Sequence, residues 1–261
     1  MSADILVELQ DNVATVVFNR PKVRNAISLA MWSEIPSIID RLAKDDAVRA
    51  IVFRGAGTDA FASGADISEF QENRKDAATA MAYNKTVEGA CASIRLCPKP
   101  TIAMIYGFCM GGAMAIAMSC DLRFAAEGSR YGIPAAKLSI MYETDAVHQL
   151  VDLVGPAYAK DILFSARTIQ ADEAFRIRLV ERLLPVSELE KYTYDYLRTV
   201  AANAPLTVRG SKIQLNAIFE GMTDEHRDAM RTLRNQTFET EDYKEGTRAF
   251  LEKRPPRFQG R

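Results

Sequence analysis

The stretch Tyr106-Gly107-Phe108-Cys109-Met110-Gly111-Gly112-Ala113-Met114-Ala115 decides how the chain is read. The apolar run at 101–106 predicts a buried strand. Residues 112–119 are small and apolar, which predicts a tightly packed helix. A strand that feeds a helix through Gly-Gly leaves free amide N–H groups at the helix start, where the dipole favours negative charge. Such a start binds a phosphate or stabilises an oxyanion. No GxxxxGK[ST], GxGxxG or GxSxG motif occurs, which excludes a Walker loop, a dinucleotide fingerprint and a serine nucleophile elbow.

With 261 residues the chain can bury one large core, or a core with a small appendage. Lys+Arg 33 against Asp+Glu 34 gives a net charge of -1, which argues against a dedicated partner in nucleic acid or a membrane surface. The opening MSADILVELQ lacks the basic and long apolar regions of a signal peptide, and no apolar run is long enough to span a bilayer. The four cysteines (Cys91, Cys97, Cys109, Cys120) form no CxxC and only two histidines exist, so no metal site is expected. Reduced core thiols in a cytoplasmic protein are the expectation.

Outward from the central stretch, residues 5–9 and 14–19 predict paired strands around Asp11-Asn12. Leu29, Trp32, Ile35, Ile38, Ile39 and Leu42 recur at helical spacing, with Ser28 as N-cap. A short strand is expected at 50–53, a small-residue loop at 61–66, a polar connecting segment at 68–83 and a helix at 84–95. Another strand is expected at 121–125, then an almost entirely helical pattern from about 145, with Pro205-Leu206 as a hinge. Strands alternating with helices up to about 130 give an α/β class. The helical tail is an appendage that buries its apolar faces against the core or another subunit.

Phe61-Ala62-Ser63-Gly64-Ala65-Asp66-Ile67 is a second small-residue loop after a strand. Gly64 permits an unusual backbone angle, and small neighbours let a ligand approach the main chain. The two loops either pack as tight turns or aim one amide each at a single carbonyl oxygen, an arrangement that stabilises enolate or acyl chemistry.

Over nearly its whole length the sequence resembles the crotonase (enoyl-CoA hydratase/isomerase) superfamily. The resemblance rests on Asn19-Arg20-Pro21-Lys22, Arg24-Asn25-Ala26, residues 61–67, residues 107–112, Cys120-Asp121, Tyr131-Gly132-Ile133-Pro134 and residues 241–254. It implies a spiral of ββα units over 1–198 and a C-terminal helical region over 199–261 that builds a homotrimer or a dimer of trimers. It also implies an acyl-CoA substrate, with coenzyme A as part of the substrate and no separate cofactor. The thioester oxygen would sit between the amides of Ala65 and Gly112. Coenzyme A would lie along Arg20, Lys22 and Arg24 and along Ala62, Ser63, Ala65, Asp66, Ile67 and Ser68, with Gly111 and Ala135 beside the acyl group. Phe250 and Lys253 either reach the coenzyme A of a neighbouring subunit or serve as a packed aromatic and a solvated charge.

The resemblance breaks where hydratase chemistry needs carboxylates. The family's hydratases carry one glutamate a helical turn after the oxyanion-hole glycine, where this chain has Ala115, and a second after the Tyr-Gly-x-Pro segment, where it has Ala135. Alanine cannot move a proton. The next candidates lie in Ser139-Ile140-Met141-Tyr142-Glu143-Thr144-Asp145. By the resemblance, Glu143 falls where dienoyl-CoA isomerases and a chlorobenzoyl-CoA dehalogenase carry a functional aspartate, and Tyr142 where methylmalonyl-CoA decarboxylase carries a tyrosine. Glu143 is the first choice for acid/base work, followed by Tyr142 (otherwise a pocket wall) and Asp145 (otherwise a helix cap). His148 is expected to be a core or pocket histidine.

Overall fold

The computed structural model describes residues 4–261. β1 (Ile5–Gln10) and β2 (Val13–Phe18) pair antiparallel through Asp11 and Asn12, whose φ values of 50° and 63° lie in the left-handed region that Asp and Asn tolerate. α1 (Leu29–Lys44) starts at Ser28, whose hydroxyl accepts from the Met31 N–H at 3.3 Å. Trp32, Ile35, Ile38, Ile39 and Leu42 are buried along one side of this helix, as their spacing predicts.

The chain then repeats strand, strand, helix three times. β3 (Ala50–Gly55) and β4 (Ala60–Ala62) lead through α2 (Phe70–Asn73) to α3 (Ala77–Arg95). β5 (Thr101–Ile105) and β6 (Phe108–Met110) lead to α4 (Gly112–Ser119), and β7 (Leu122–Ala126) and β8 (Arg130–Gly132) to α5 (Thr144–Ser165). Each unit gives its first strand to one sheet and its second to another. β9 (Ile169–Gln170), α6 (Ala171–Arg176) and β10 (Arg182–Leu184) complete the sheets, in the orders β1-β2-β3-β5-β7-β10 and β4-β6-β8-β9. α7 (Val186–Ala201) lies across the larger sheet, followed by α8 (Pro205–Glu220), α9 (Asp224–Phe238) and α10 (Glu241–Leu251).

The inner strands β3 and β5 of the larger sheet are apolar on both faces because both faces are covered. Ile51, Phe53, Ala103 and Ile105 face the main core, while Val52, Ile102 and Met104 face Leu189 and Leu197 of α7. This period-two alternation explains why the strands read as continuous apolar runs.

Three features depart from the sequence reading. The expected loop at 61–66 begins with β4, and β6 occupies 108–110; both strands are only three residues long, too short for a periodic signal. The polar segment at 68–83 is mostly helical. Asp76 caps α3, accepting from the Thr79 N–H at 2.8 Å, while Thr79 Oγ1 accepts from the Asp76 N–H at 3.2 Å. That reciprocal box starts the helix seven residues before the expected position 84. Finally, Asp145 is not the N-cap of α5: Glu143 holds that position without a side-chain capping bond.

The helical tail is tied to the core by charge. Lys212 Nζ of α8 donates to Asp121 Oδ2 at 2.8 Å and to the Lys99 carbonyl at 3.0 Å, and Asp121 also accepts from the Thr101 N–H at 2.7 Å. The expected division at 198/199 falls inside the last turn of α7, and Pro205 opens α8. The carboxylate of Asp242 accepts from the Gln259 and Gly260 amides at 2.6 and 2.8 Å, folding the chain end back on α10.

Candidate active site

The two small-residue loops meet at the start of α4. A Cβ placed on Gly64 would lie 2.7 Å from the Met110 carbonyl oxygen, and φ there is +103°. A Cβ on Gly112 would lie 2.9 Å from Trp32 Cζ2 and 3.4 Å from the Ala65 nitrogen. Only glycine allows this approach at both places. The loop at 61–67 is fixed from below: buried Asn25 donates to the Ala60 carbonyl at 2.8 Å and the Ala56 carbonyl at 3.1 Å. Ile27 N–H bonds the Gly64 carbonyl at 2.8 Å, and Asp66 N–H bonds the Ile27 carbonyl at 2.9 Å. These bonds flank Ala65 and pass over its amide.

Across from it, the Gly111 N–H bonds the Gly132 carbonyl at 2.8 Å, and the Gly111 carbonyl accepts from the Tyr142 hydroxyl at 2.9 Å. Among the described residues, neither the Ala65 nor the Gly112 amide donates to a backbone carbonyl. Two adjacent free N–H groups, one of them at a helix N-terminus, can stabilise negative charge on one oxygen.

Both loops line a cavity of about 140 Å³. Ser63, Ala65, Ile67, Gly111, Gly112, Ala115, Ala135, Tyr142, Glu143 and Asp145 all border it. One face of α3 supplies another wall: Asn84, Val87, Glu88, Cys91, Ala92 and Arg95 recur at spacings of three and four. Glu143 is pushed up to about 7, first by burial and then by the neighbouring Glu88 carboxyl, with Arg74 pulling the other way. Tyr142 is held protonated by its buried surroundings. The Cys91 thiol is pushed up to about 12 by burial. Glu88 went unnoticed in the sequence, Trp32 was expected only on the buried face of α1, and Arg74 and Tyr83 lie in the 70–83 segment whose side chains were expected to close the pocket. The signal for Glu88 was present, a carboxylate on the stripe of α3 that also carries Cys91 and Ala92.

A family model described as enoyl-CoA hydratase/isomerase matches residues 8–261. The chain belongs to the enoyl-CoA hydratase/isomerase family. It is 35% identical over 260 residues to a short-chain-enoyl-CoA hydratase of Clostridium acetobutylicum, covering 96% of this chain and 95% of the relative. It is 29% identical to a methylmalonyl-CoA decarboxylase of Escherichia coli, with 96% and 95% covered. Among solved structures, an enoyl-CoA hydratase/isomerase family protein from Hyphomonas neptunium superposes with a TM-score of 0.94 at 36% identity, covering 99% of this chain and 98% of that one. The mixed α/β architecture, with its parallel sheets and many helices, is the crotonase fold of these neighbours.

Several residues expected along coenzyme A in this enoyl-CoA hydratase/isomerase family member (Arg20, Lys22, Arg24, Ala62, Asp66, Ser68, Phe250 and Lys253) do not border this small cavity. Arg20 donates to Asp66 Oδ2 and to the Ala26 carbonyl, each at 2.8 Å, so both side chains brace the loop. Asp66 is also held low in pKa, chiefly by the Ser68 hydroxyl that donates to it. Ala62 is fully buried in β4, Lys22 is exposed, and Arg24 lies over the Phe108 ring at 4.8 Å. Phe250 and Lys253 are exposed, and Phe250 borders a separate groove beside α8. Asp145 is exposed at the cavity edge. His148 is exposed, with Nδ1 3.5 Å from Asp152 Oδ2, and of the two places expected for it, core or pocket, it lies outside the core. It borders a larger cavity of about 1150 Å³ between α5, α7 and α8, which does not reach the two free amides. Among the described residues, no three His, Cys, Asp or Glu side chains are grouped to hold a metal ion, and no helix is long and apolar enough to cross a membrane.

Proposed function

We propose that this chain processes an acyl-CoA thioester through an enolate held by the Ala65 and Gly112 amides, with Glu143 as the group that moves the proton. The observation that carries the reading is the convergence of two unbonded amides on a cavity whose bordering carboxyl, Glu143, titrates near neutrality. An amide pair of this kind lowers the barrier next to the carbonyl only if it binds the enolate oxygen better than the ground-state oxygen. A carboxyl poised near the operating pH both accepts and returns a proton efficiently. Tyr142, whose hydroxyl donates to the Gly111 carbonyl, holds the turn that presents the Gly112 amide.

Ala115 and Ala135 border the cavity at the positions where the resemblance implies the hydratase glutamates. That favours a second reading, loss of carbon dioxide from a carboxylated acyl-CoA, which needs enolate stabilisation but no paired glutamates. Incubation with crotonyl-CoA and with methylmalonyl-CoA, followed by product analysis, separates the two. Rapid hydration of crotonyl-CoA by the Glu143→Gln variant would overturn the role of Glu143. An inactive protein that still binds acyl-CoA would point to a non-catalytic binding role. Assembly as a trimer or dimer of trimers is supported by exposed Leu215, Ile218, Phe219, Phe250 and Leu251 on the C-terminal helices, and sedimentation would test it.

A further inference from the structure

The side chains around the cavity include three buried polar atoms with no hydrogen-bond partner among the described residues: Trp32 Nε1, Arg74 Nε and the Tyr83 hydroxyl. All three side chains border the cavity of about 140 Å³. Trp32 is 0% exposed and Tyr83 3% exposed. Burial raises the Tyr83 hydroxyl above the usual tyrosine range; the nearby Arg74 and the Trp32 indole offset this only in part, and the indole does not reach hydrogen-bond geometry. The Arg74 guanidinium lies 4.5 Å from both the Phe70 and the Tyr83 ring centroids and forms no ion pair among the described residues.

Buried polar groups left unpaired are uncommon, because each has given up water without replacement. The indole and guanidinium N–H groups can only donate, and the phenol can donate. Three donors on one wall call for an acceptor on the ligand. The charges around them argue against an anion. Glu88, Glu143 and Asp145 border the same cavity, and the second nearby cation, Arg95, is already paired with Glu220. A cavity of about 150 Å³ holds one benzene, so the acyl group has roughly six heavy atoms.

We propose that the acyl group is short and carries, beyond the thioester carbonyl, an uncharged oxygen that accepts hydrogen bonds from Tyr83, Trp32 and Arg74. This inference rests on the acyl-CoA reading above. It distinguishes the pocket from one built for a plain hydrocarbon chain, which would leave all three donors unpaired on binding.

Calorimetric titration with two pairs of thioesters that exchange an oxo oxygen for a methyl group tests it: 3-oxobutanoyl-CoA against 3-methylbutanoyl-CoA, and 4-oxopentanoyl-CoA against 4-methylpentanoyl-CoA. In at least one pair the oxo compound should bind about tenfold tighter, as a polar site discriminates against an analogue that leaves its groups unpaired. Tyr83→Phe should cut that advantage severalfold while leaving the methyl compound's Kd unchanged, and its melting temperature should not fall, because the hydroxyl it removes has no partner. Equal binding within both pairs would overturn the inference, as would an oxo advantage that Tyr83→Phe leaves unchanged. Tighter binding of succinyl-CoA than of either oxo compound would show that the oxygen is a carboxylate and overturn the claim of neutrality. Failure of every thioester to bind would remove the acyl-CoA reading as well, whereas binding without discrimination removes only this inference.

Discussion

The two walls of the cavity are built on opposite terms. The wall made by residues 61–67 and the start of α4 is tied down by the Asn25, Ile27 and Gly132 bonds and, among the described residues, presents the Ala65 and Gly112 amides without a backbone acceptor. Its glycines are packed so closely that a Cβ at either place would collide with backbone or indole. The other wall, from residues 70–74, α3, residues 142–145 and the Trp32 indole of α1 that packs on Gly112, leaves three polar atoms unpaired and sets Glu143 against Glu88. In the proposed reaction the first wall would be a rigid receptor for one oxygen, a role that many acyl-CoA reactions can share. The second has unspent polar capacity and a perturbed carboxyl, the usual signs of a place where substrate is chosen and protons move.

Changes on the second wall should therefore abolish chemistry without damaging the fold, and changes on the first should damage both. Glu143→Gln should lower kcat by roughly 10² to 10⁴, the range for a general acid/base group, with thioester affinity retained. Steady-state kinetics on whichever substrate the product analysis identifies will measure it; a loss below about threefold would move the proton transfer to another group. Gly64→Ala should lower kcat by roughly 10² to 10³, because its Cβ pushes the loop carrying the Ala65 amide away from Met110. Unlike Glu143→Gln, it should also lower stability by about 1–3 kcal/mol, since alanine is strained at a φ of +103°. Kinetics and thermal melting on the same sample separate the two effects, and a Gly64→Ala protein that melts normally but is inactive would contradict this picture of the rigid wall.

A smaller effect is expected where the walls touch. Tyr142 belongs to the second wall but donates to the Gly111 carbonyl of the first. Tyr142→Phe should cost about 1 kcal/mol of stability through the lost bond and lower kcat roughly tenfold, without moving the pH profile. A shifted profile would make Tyr142 a proton carrier rather than a support.

The difference between the walls also sets what the sequence could reveal. The first wall was legible because its constraints are local: Gly-Gly between an apolar run and a small-residue helix, and Gly64 among alanine and serine. The two-faced apolar strands β3 and β5 were legible for a similar reason, since both faces are covered. The second wall was not, because its chemistry comes from side chains far apart in the chain. Glu88 perturbs Glu143 across 55 positions (143 − 88), and Trp32 of α1 meets Tyr83 of α3. The reading of 68–83 as a polar connector hid the helical turn that brings Arg74 and Tyr83 together; the Asp76 capping box was its one local signature. Asp145 looked like a cap by residue type, yet the chain enters the helix two residues earlier, at Glu143.

The smallest shift comes from Glu88, and it tests the pairing most directly. Glu143 has an ordinary value of 4.5 and stands at about 7 in the fold. Between these values the folded protein holds a proton that the unfolded chain has released, so stability falls as pH rises across that window. The kcat profile should carry one titration near pH 7. Glu88→Gln removes the neighbouring negative charge, so the charged form of Glu143 becomes less unfavourable and both features should move to lower pH. The move should be partial, because burial is the larger cause and remains. Asp145 also raises Glu143 and Arg74 lowers it, and neither is altered by the substitution. Kinetic profiles and thermal melts of the two proteins from pH 5 to 9 would read the shift twice. A midpoint that stays in place in both measurements would mean that Glu88 does not set the titration of Glu143 and only lines the wall.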